Sequence, residues 1–274
     1  MSKNKNFPYL HGFTQEEQLR LREQANFAEY TVYQDIDLSK VNNLLEVGCG
    51  VGAQTEILLR RFPKINITGI DLNDAQLEEA KRHLSQTSWA KGRYDIQKMN
   101  AAQLDLSENH FDGAFLCWIL EHVPDPALVL SEVRRVLQPG SVIYITEVLN
   151  SSFLLDPYSP NVWKYWQAFN DYQIDVGGDP FVGAKLGNLL MKVGFQNIKT
   201  QVKTWHLDNR TPSKRKEFID YWRELLLSAS DQLINEKRVD KETVRLAEEE
   251  LNRVAKDPDA VFYYSFIQAS ARVF

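Results

Sequence analysis

Residues 44–55 read LLEVGCGVGAQT, a short apolar run followed by three glycines and then by residues that suit a helix. Glycine lets the backbone turn sharply and lets a bound ligand approach the main chain closely. The free N–H groups at the start of the following helix supply hydrogen-bond donors and positive potential. The stretch therefore predicts a strand, a tight turn and a helix that together cradle a nucleotide at the carboxyl end of the strand.

The sequence that follows alternates between strand-like and helix-like segments. Apolar runs predict further strands at residues 65–70, 94–99, 113–118 and 142–148, with amphipathic helices between them. Asn73 stands where it can cap the second of these helices. Repeated strand–helix–strand units predict an α/β fold, a mostly parallel sheet with helices on both faces.

Three segments depart from this alternation and suggest the domain organisation. Residues 1–40 are expected to form an N-terminal helical lid, and the aromatic-rich residues 150–181 a second lid. The α/β core is expected over residues 41–149 and 182–274, with a helical insertion at about 208–258. A connection as long as 150–181 is usually a lid or a binding segment. Its aromatic side chains either cover the core or line a ligand pocket, and the sequence leaves both alternatives open.

Composition excludes several classes of protein. The chain has 274 residues, is 43% hydrophobic and 25% charged, and carries a formal net charge of −5 at pH 7. Without a basic excess, we expect no nucleic-acid partner. Two cysteines are too few for a disulfide framework or a cysteine-rich zinc site. We expect no secretory signal, no membrane span and a cytoplasmic location. The apolar faces of the helical insertion suit packing on the core or on a second subunit, which leaves a homo-oligomer open.

Asp71 ends the second predicted strand, where a carboxylate can accept hydrogen bonds from both hydroxyls of an adenosine ribose. Because Ala53 follows the third glycine, GCGVGA also satisfies the dinucleotide pattern G-x-G-x-x-G/A. The loop by itself therefore leaves an NAD(P)-dependent oxidoreductase open beside other adenosine binders.

Further motifs in order along the chain separate these alternatives. They are Glu46 before the first glycine, Met99-Asn100-Ala101, Trp118-Ile119-Leu120-Glu121-His122 and Leu137-Gln138-Pro139-Gly140. With these motifs, residues 44–148 resemble the class I S-adenosylmethionine-dependent methyltransferases, in the small-molecule branch of the ubiquinone and menaquinone C-methyltransferases. The resemblance implies a Rossmann-like, mostly parallel seven-stranded sheet whose last strand is antiparallel. It suggests a terminal hairpin of residues 198–205 and 261–274.

The resemblance also implies S-adenosyl-L-methionine as the cofactor and S-adenosyl-L-homocysteine as its product. The positions it assigns to the cofactor are Glu46, Gly48, Gly50, Gly52, Cys117 and Trp118 at the methionine part, Asp71 at the ribose, and Leu72, Asn100 and Ala101 at the adenine, with Tyr9 closing over the site. Asn100 stands where many relatives have Asp. Its carbonyl oxygen is expected to accept a hydrogen bond from the adenine amino group.

The implied reaction is an in-line SN2 transfer of a methyl group to a C, O or N atom of a small, partly apolar molecule. Candidates for removing a proton are His122, His11 and Glu147. His122 is equally well interpreted as a histidine packed beside the loop, and Glu121 is interpreted as a structural residue. No metal cluster is expected, because the histidines are dispersed. A third hypothesis is a non-catalytic protein that binds S-adenosylmethionine.

Overall fold

The computed structural model describes Gly12 and residues 14–274, which form one mixed sheet with helices on both faces. The strands are β1 (Asn43–Val47), β2 (Asn66–Asp71), β3 (Tyr94–Lys98), β4 (Phe111–Cys117), β5 (Leu137–Val148), β6 (Leu154–Asp156), β7 (Gln196–Leu207) and β8 (Val261–Arg272). The α-helices are α1 (Gln15–Tyr33), α2 (Ala53–Arg61), α3 (Asp74–Ser85), α4 (Pro126–Val136), α5 (Pro160–Asp175), α6 (Leu186–Val193), α7 (Pro212–Leu227), α8 (Ser230–Asn235) and α9 (Lys241–Lys256). Among the helices of this described part, none is both long and apolar enough to cross a membrane.

The sheet has the strand order β3-β2-β1-β4-β5-β8, with β1 to β5 parallel and β8 antiparallel to β5. β7 pairs with β8 along its other edge, as the predicted terminal hairpin requires. The α/β fold class is thereby confirmed, with eight strands in place of seven. The additional strand is β6, which pairs with β8 at Phe262 beyond the point where β5 ends opposite Phe266. A strand of three residues is too short to show a hydrophobic period, so no sequence pattern predicts β6.

Helix starts follow from short polar side chains at the capping positions. Asn73 accepts a hydrogen bond from the Gln76 amide at 3.0 Å, as predicted, and Asp240 accepts one from the Thr243 amide at 2.7 Å. Such caps satisfy amides that have no partner within the helix. These caps set the residues at which α3 and α9 begin.

Two apolar cores lie on the opposite faces of the sheet. One contains Val133 of α4 and Leu190 of α6, and the other contains Val32 of α1 and Phe218 of α7, all fully buried. The second core includes a large aromatic cluster in which Phe153 stacks on Trp222, with ring centroids 5.3 Å apart. The helices of the two insertions therefore pack together over the β8 side of the sheet.

Candidate active site

A cavity of about 520 Å³ lies at the carboxyl ends of the parallel strands, within the usual range of small-molecule sites, roughly 300–1,000 Å³. The loops after β1, β2, β3 and β4 line one part of it, with Gly50, Asp71, Asn100 and Trp118 among them. Helix α1 closes over it through Arg20, Leu21, Gln24 and Ala25. In the sheet order, β2 and β3 lie to one side of β4, and β8 and β7 lie to the other. The cavity therefore crosses the molecule from an adenosine-like cradle to the aromatic cluster.

The glycine loop gives the cradle its shape. Gly50 has φ +50°, and a Cβ placed on it would meet no atom within 4 Å, so its backbone faces open space in the cavity. Gly48, with φ +75°, is pressed against Ile119, whose Cδ1 would lie 2.5 Å from an added Cβ. Gly52 is the N-cap of α2 and does not line the cavity. The loop thus exposes main chain to a ligand at Gly50 and packs tightly at Gly48.

Asp71 ties the second strand to this loop. Its Oδ2 accepts a hydrogen bond from the Gly50 amide at 3.0 Å, and its Oδ1 accepts one from the Asn73 amide at 2.9 Å. Burial raises the pKa of the Asp71 carboxyl, while these backbone amides act in the opposite direction. The side chain lines the cavity, where each carboxylate oxygen keeps lone pairs for a further donor.

Glu46 does not line the cavity. Its carboxyl turns into the protein, where Oε2 accepts a hydrogen bond from the Thr55 hydroxyl at 2.6 Å. Burial raises the pKa of Glu46 to about 8, and the nearby charge of Asp71 acts in the same direction. In this arrangement Glu46 links β1 to the first turn of α2.

Glu147 is also turned away from the cavity. Its side chain is fully buried, and Oε1 accepts hydrogen bonds from the amides of Ile119 at 3.0 Å and Leu120 at 2.6 Å. Burial, together with the neighbouring charge of Glu121, raises the pKa of this carboxyl well above its ordinary range. Glu147 therefore stabilises the loop after β4 by accepting hydrogen bonds from its backbone amides.

Leu72, Asn100 and Ala101, in the loops after β2 and β3, also line the cavity. The Asn100 side-chain oxygen accepts a hydrogen bond from the Ala102 amide at 2.9 Å. That contact uses one of the two lone pairs on the oxygen, so Asn100 keeps one acceptor site and its amide nitrogen, a donor, for a ligand.

Cys117, Trp118 and His122 lie midway along the cavity, at the end of β4 and in the loop that follows it. Trp118 has φ +55°, and its amide donates a hydrogen bond to the Thr146 carbonyl at 2.9 Å. Burial raises the pKa of the Cys117 thiol well above its ordinary range, as expected of a packed, unreactive cysteine. Tyr9 and His11 lie outside the described residues.

The far part of the cavity is a wall of aromatic rings, here named the aromatic wall. Its members are Trp166, Phe169, Trp205, Tyr221, Trp222 and Tyr264. Several of their polar atoms bond to neighbouring protein groups: Trp166 Nε1 donates to the Asn150 carbonyl at 3.2 Å, and the Tyr264 hydroxyl donates to Asn150 Oδ1 at 2.7 Å. These residues accordingly offer mainly ring surface to a ligand. In the segment 150–181, both alternatives are realised, because Phe153 and Tyr165 belong to the core and Trp166 and Phe169 line the cavity.

Comparison with known proteins identifies the central part of the chain. Residues 45–145 match the family model described as a methyltransferase domain. The chain carries a class I methyltransferase domain. The resemblance read from the ordered motifs is thus confirmed.

Named relatives match the chain over part of their length. It is 30% identical over 157 residues to the O-methyltransferase resE of Aspergillus sclerotiorum, covering 57% of this chain and 56% of that protein. It is 32% identical over 106 residues to the ubiquinone biosynthesis O-methyltransferase of Pseudomonas aeruginosa (strain UCBPP-PA14), covering 38% of this chain and 44% of that protein. The chain therefore spans about half the length of the curated relatives it matches.

A solved structure shows the same fold over most of the chain. The phosphoethanolamine N-methyltransferase 2 of Haemonchus contortus, in complex with phosphomonomethylethanolamine and S-adenosylhomocysteine, has a TM-score of 0.59. It is 17% identical and covers 95% of this chain and 57% of that protein. The likeness extends to the insertions, beyond the segment matched by the family model.

Some residues that line the cavity are not marked by any motif in the sequence. Trp205, Tyr221 and Tyr264 come from β7, α7 and β8, which are distant in sequence and meet only in the folded sheet. Arg20 on α1 also lines the cavity, where it pairs with Glu17 at 2.6 Å and donates to the Tyr221 hydroxyl at 3.0 Å. No group of three or more His, Cys, Asp and Glu side chains in the described part of the chain is placed to hold a metal ion.

Proposed function

We propose that this protein transfers the methyl group of S-adenosylmethionine to a C, O or N atom of a small, partly apolar acceptor. The observation that carries the proposal is the single cavity that joins the glycine loop to the aromatic wall. One end suits a polar nucleoside, and the other suits an apolar molecule. The relatives named as O-methyltransferases support the same class of reaction.

The residues at the glycine loop fit S-adenosylmethionine. Gly50 leaves its backbone open to the cavity, and Asp71 presents a carboxylate beside it for the ribose hydroxyls. Leu72 and Asn100 lie where an adenine ring would extend from that ribose. The backbone at Cys117 and Trp118 lies toward the centre of the cavity, where the methionine part would reach.

Bound S-adenosylmethionine would supply an electrophilic methyl group on a sulfonium leaving group. The chain's own residues then have two tasks, to align the acceptor with that methyl and to exclude water from it. Alignment in near-attack geometry contributes on the order of 7–11 kcal/mol, whereas a positioned base adds about 10²–10⁴-fold in rate. Of the candidate proton acceptors, His122 lines the cavity, and it stays a candidate.

Calorimetric titration of the purified protein tests the proposal directly. We expect S-adenosylmethionine and S-adenosylhomocysteine to bind with one site each, and NAD(H) to bind much more weakly. Failure of both sulfur nucleosides to bind would refute the proposal, and preferential binding of NAD(H) would support an oxidoreductase. Tight binding with no release of S-adenosylhomocysteine across a broad acceptor panel would support a non-catalytic binding protein.

We also propose a cytoplasmic enzyme whose acceptor is a small molecule and not a nucleic acid. The net charge of −5 supports an acceptor other than a nucleic acid, since nucleic-acid-binding surfaces are generally basic. Size-exclusion chromatography with light scattering would test the homo-oligomer that the helical insertions leave open.

A further inference from the structure

Glu121, in the loop after β4, is fixed in position by hydrogen bonds to both its backbone and its side chain. Its backbone carbonyl accepts hydrogen bonds from the Asp179 amide at 2.8 Å and from Gln173 Nε2 at 3.2 Å. The same Gln173 nitrogen donates to Glu121 Oε2 at 3.0 Å. On the other side, Glu147 holds the preceding amides of Ile119 and Leu120. One insertion and one core strand together fix the position of this single carboxylate.

Glu121 lines the cavity. Its other carboxylate oxygen, Oε1, lies 3.6 Å from His122 Nε2, close enough for an ion pair when the imidazole is protonated. Gln173 lines the same region, and its Oε1 is buried without a hydrogen-bond partner among residues 14–274. Glu121 therefore offers a carboxylate acceptor in the cavity that contains the aromatic wall. A group that hydrogen-bonds to it must carry a hydrogen on oxygen or nitrogen.

The charges around this point select against anions. In the described part of the chain, the Lys and Arg side chains that line the cavity are Arg20, paired with Glu17, and Lys98, paired with Asp74. Lys98 lies at the adenine end, away from the aromatic wall. A carboxylate or phosphate on the acceptor would be repelled by Glu121, and the neighbouring His122 is a cation only when protonated. Burying an unpaired charge is costly.

We propose that Glu121, positioned by Gln173, receives the hydrogen of the acceptor's nucleophilic hydroxyl or amine, and that the acceptor is a non-anionic molecule with an apolar ring body. This inference rests on the proposed methyl transfer. In the step, the nucleophile's lone pair forms the new bond to the methyl carbon while the C–S electron pair leaves with sulfur. The nucleophile's proton passes to Glu121 Oε1, which turns the carboxylate into a carboxylic acid, and then to water.

Four naphthalene probes separate the parts of this proposal. 2-Naphthol and 2-naphthylamine carry the required hydrogen, 2-methoxynaphthalene lacks it, and 2-naphthoate adds a negative charge. Their affinities are measured by calorimetry on the full chain saturated with S-adenosylhomocysteine. We expect naphthol or naphthylamine to bind at least about tenfold more tightly than the ether and the naphthoate, since a hydrogen bond to a charged group has that strength. The stronger of the two identifies the nucleophile as oxygen or nitrogen.

Variants assign the selectivity to the named side chains. Glu121→Gln should abolish the preference over naphthoate, and Gln173→Met, which removes both hydrogen bonds from Gln173 Nε2 to Glu121, should reduce it. Glu250→Gln is the matched control, because that buried carboxylate binds the amides of Asn161 and Val162 far from the cavity. It should keep the wild-type preference. Each variant must retain its affinity for S-adenosylhomocysteine, which shows that it is folded.

Three results would overturn the inference: equal affinity of the wild type for naphthol and naphthoate, an unchanged preference in Glu121→Gln, or no binding of any probe to the saturated protein. These three results differ from failure of the proposed function. That failure would be seen before any probe is added, as absence of S-adenosylhomocysteine binding. Where a turnover substrate is found, Glu121→Gln should lower kcat and Gln173→Met should lower it less.

Discussion

Replacing Glu46 with glutamine should make the stability of the fold less sensitive to alkaline pH. The buried Glu46 carboxyl has its pKa raised to about 8, against an ordinary value of 4.5. Between these two pH values the folded chain holds a proton that the unfolded chain has released. The stability linked to this proton is therefore fully present below pH 4.5 and is lost as the pH rises through about 8.

The size of the effect follows from the difference in pKa. About 3.5 pH units correspond to about 5 kcal/mol, which we take as an upper bound for a side chain in real protein surroundings. Glutamine keeps an oxygen that can accept the Thr55 hydroxyl, at 2.6 Å in the wild type. The variant should therefore have nearly the wild-type free energy of unfolding near pH 4 and exceed it by several kcal/mol near pH 9.

Urea denaturation followed by far-ultraviolet circular dichroism at acidic, neutral and alkaline pH measures this difference. Titrating groups that do not interact with Glu46, including Glu147, are shared by both proteins and cancel when one curve is subtracted from the other. Glu250→Gln again serves as the control for loss of a buried carboxylate elsewhere. Parallel curves for the wild type and Glu46→Gln would refute the assignment of the raised pKa to Glu46.

The remaining predictions concern the cofactor end of the cavity. Asp71→Ala should weaken binding of S-adenosylhomocysteine by roughly 10- to 100-fold in calorimetry, since hydrogen bonds to a carboxylate contribute about 1.5–3 kcal/mol; unchanged affinity would exclude a ribose contact. Gly50→Ala and Gly92→Ala both place a Cβ at positive φ in open space, so thermal melts should show similar losses of stability, yet only Gly50→Ala should abolish cofactor binding. Equal binding by the two variants would contradict a main-chain contact at Gly50. Asn100→Asp should bind the cofactor about three- to tenfold more tightly, because the second oxygen can accept from the adenine amino group while the first keeps the Ala102 amide; weaker binding would place a donor role on Asn100.

The repeating part of the fold was accessible from the sequence because it depends on local patterns. Apolar runs marked β1 to β5, and Asn73 marked the start of α3, which the structure confirms. The glycine spacing predicted the turn after β1, where Gly48, Gly50 and Gly52 all have positive φ. Such features need only neighbours in the chain, so the sequence specifies them directly.

Local sequence patterns do not predict whether a buried carboxylate lines the cavity or turns into the protein. Glu121 lies in the loop after β4 and Glu147 bonds to its amides. From the sequence, Glu147 is one of three candidates for removing a proton, and Glu121 is interpreted as a structural residue. In the structure, Glu147 accepts backbone amides from behind the loop while Glu121 lines the cavity. The outcome depends on Gln173, which belongs to an insertion and reaches Glu121 only through the tertiary fold. The same holds for Tyr264, whose place at the cavity follows from the pairing of β7 and β8.

The position of β8 has a consequence for the order of events during synthesis. β6 and β7 pair with β8 and with no other strand of the described chain, so both leave the ribosome well before their hydrogen-bonding partner exists. Until residues 261–272 emerge, the nascent polypeptide carries an unfinished sheet with an open edge at β5, the type of surface that chaperones protect from aggregation.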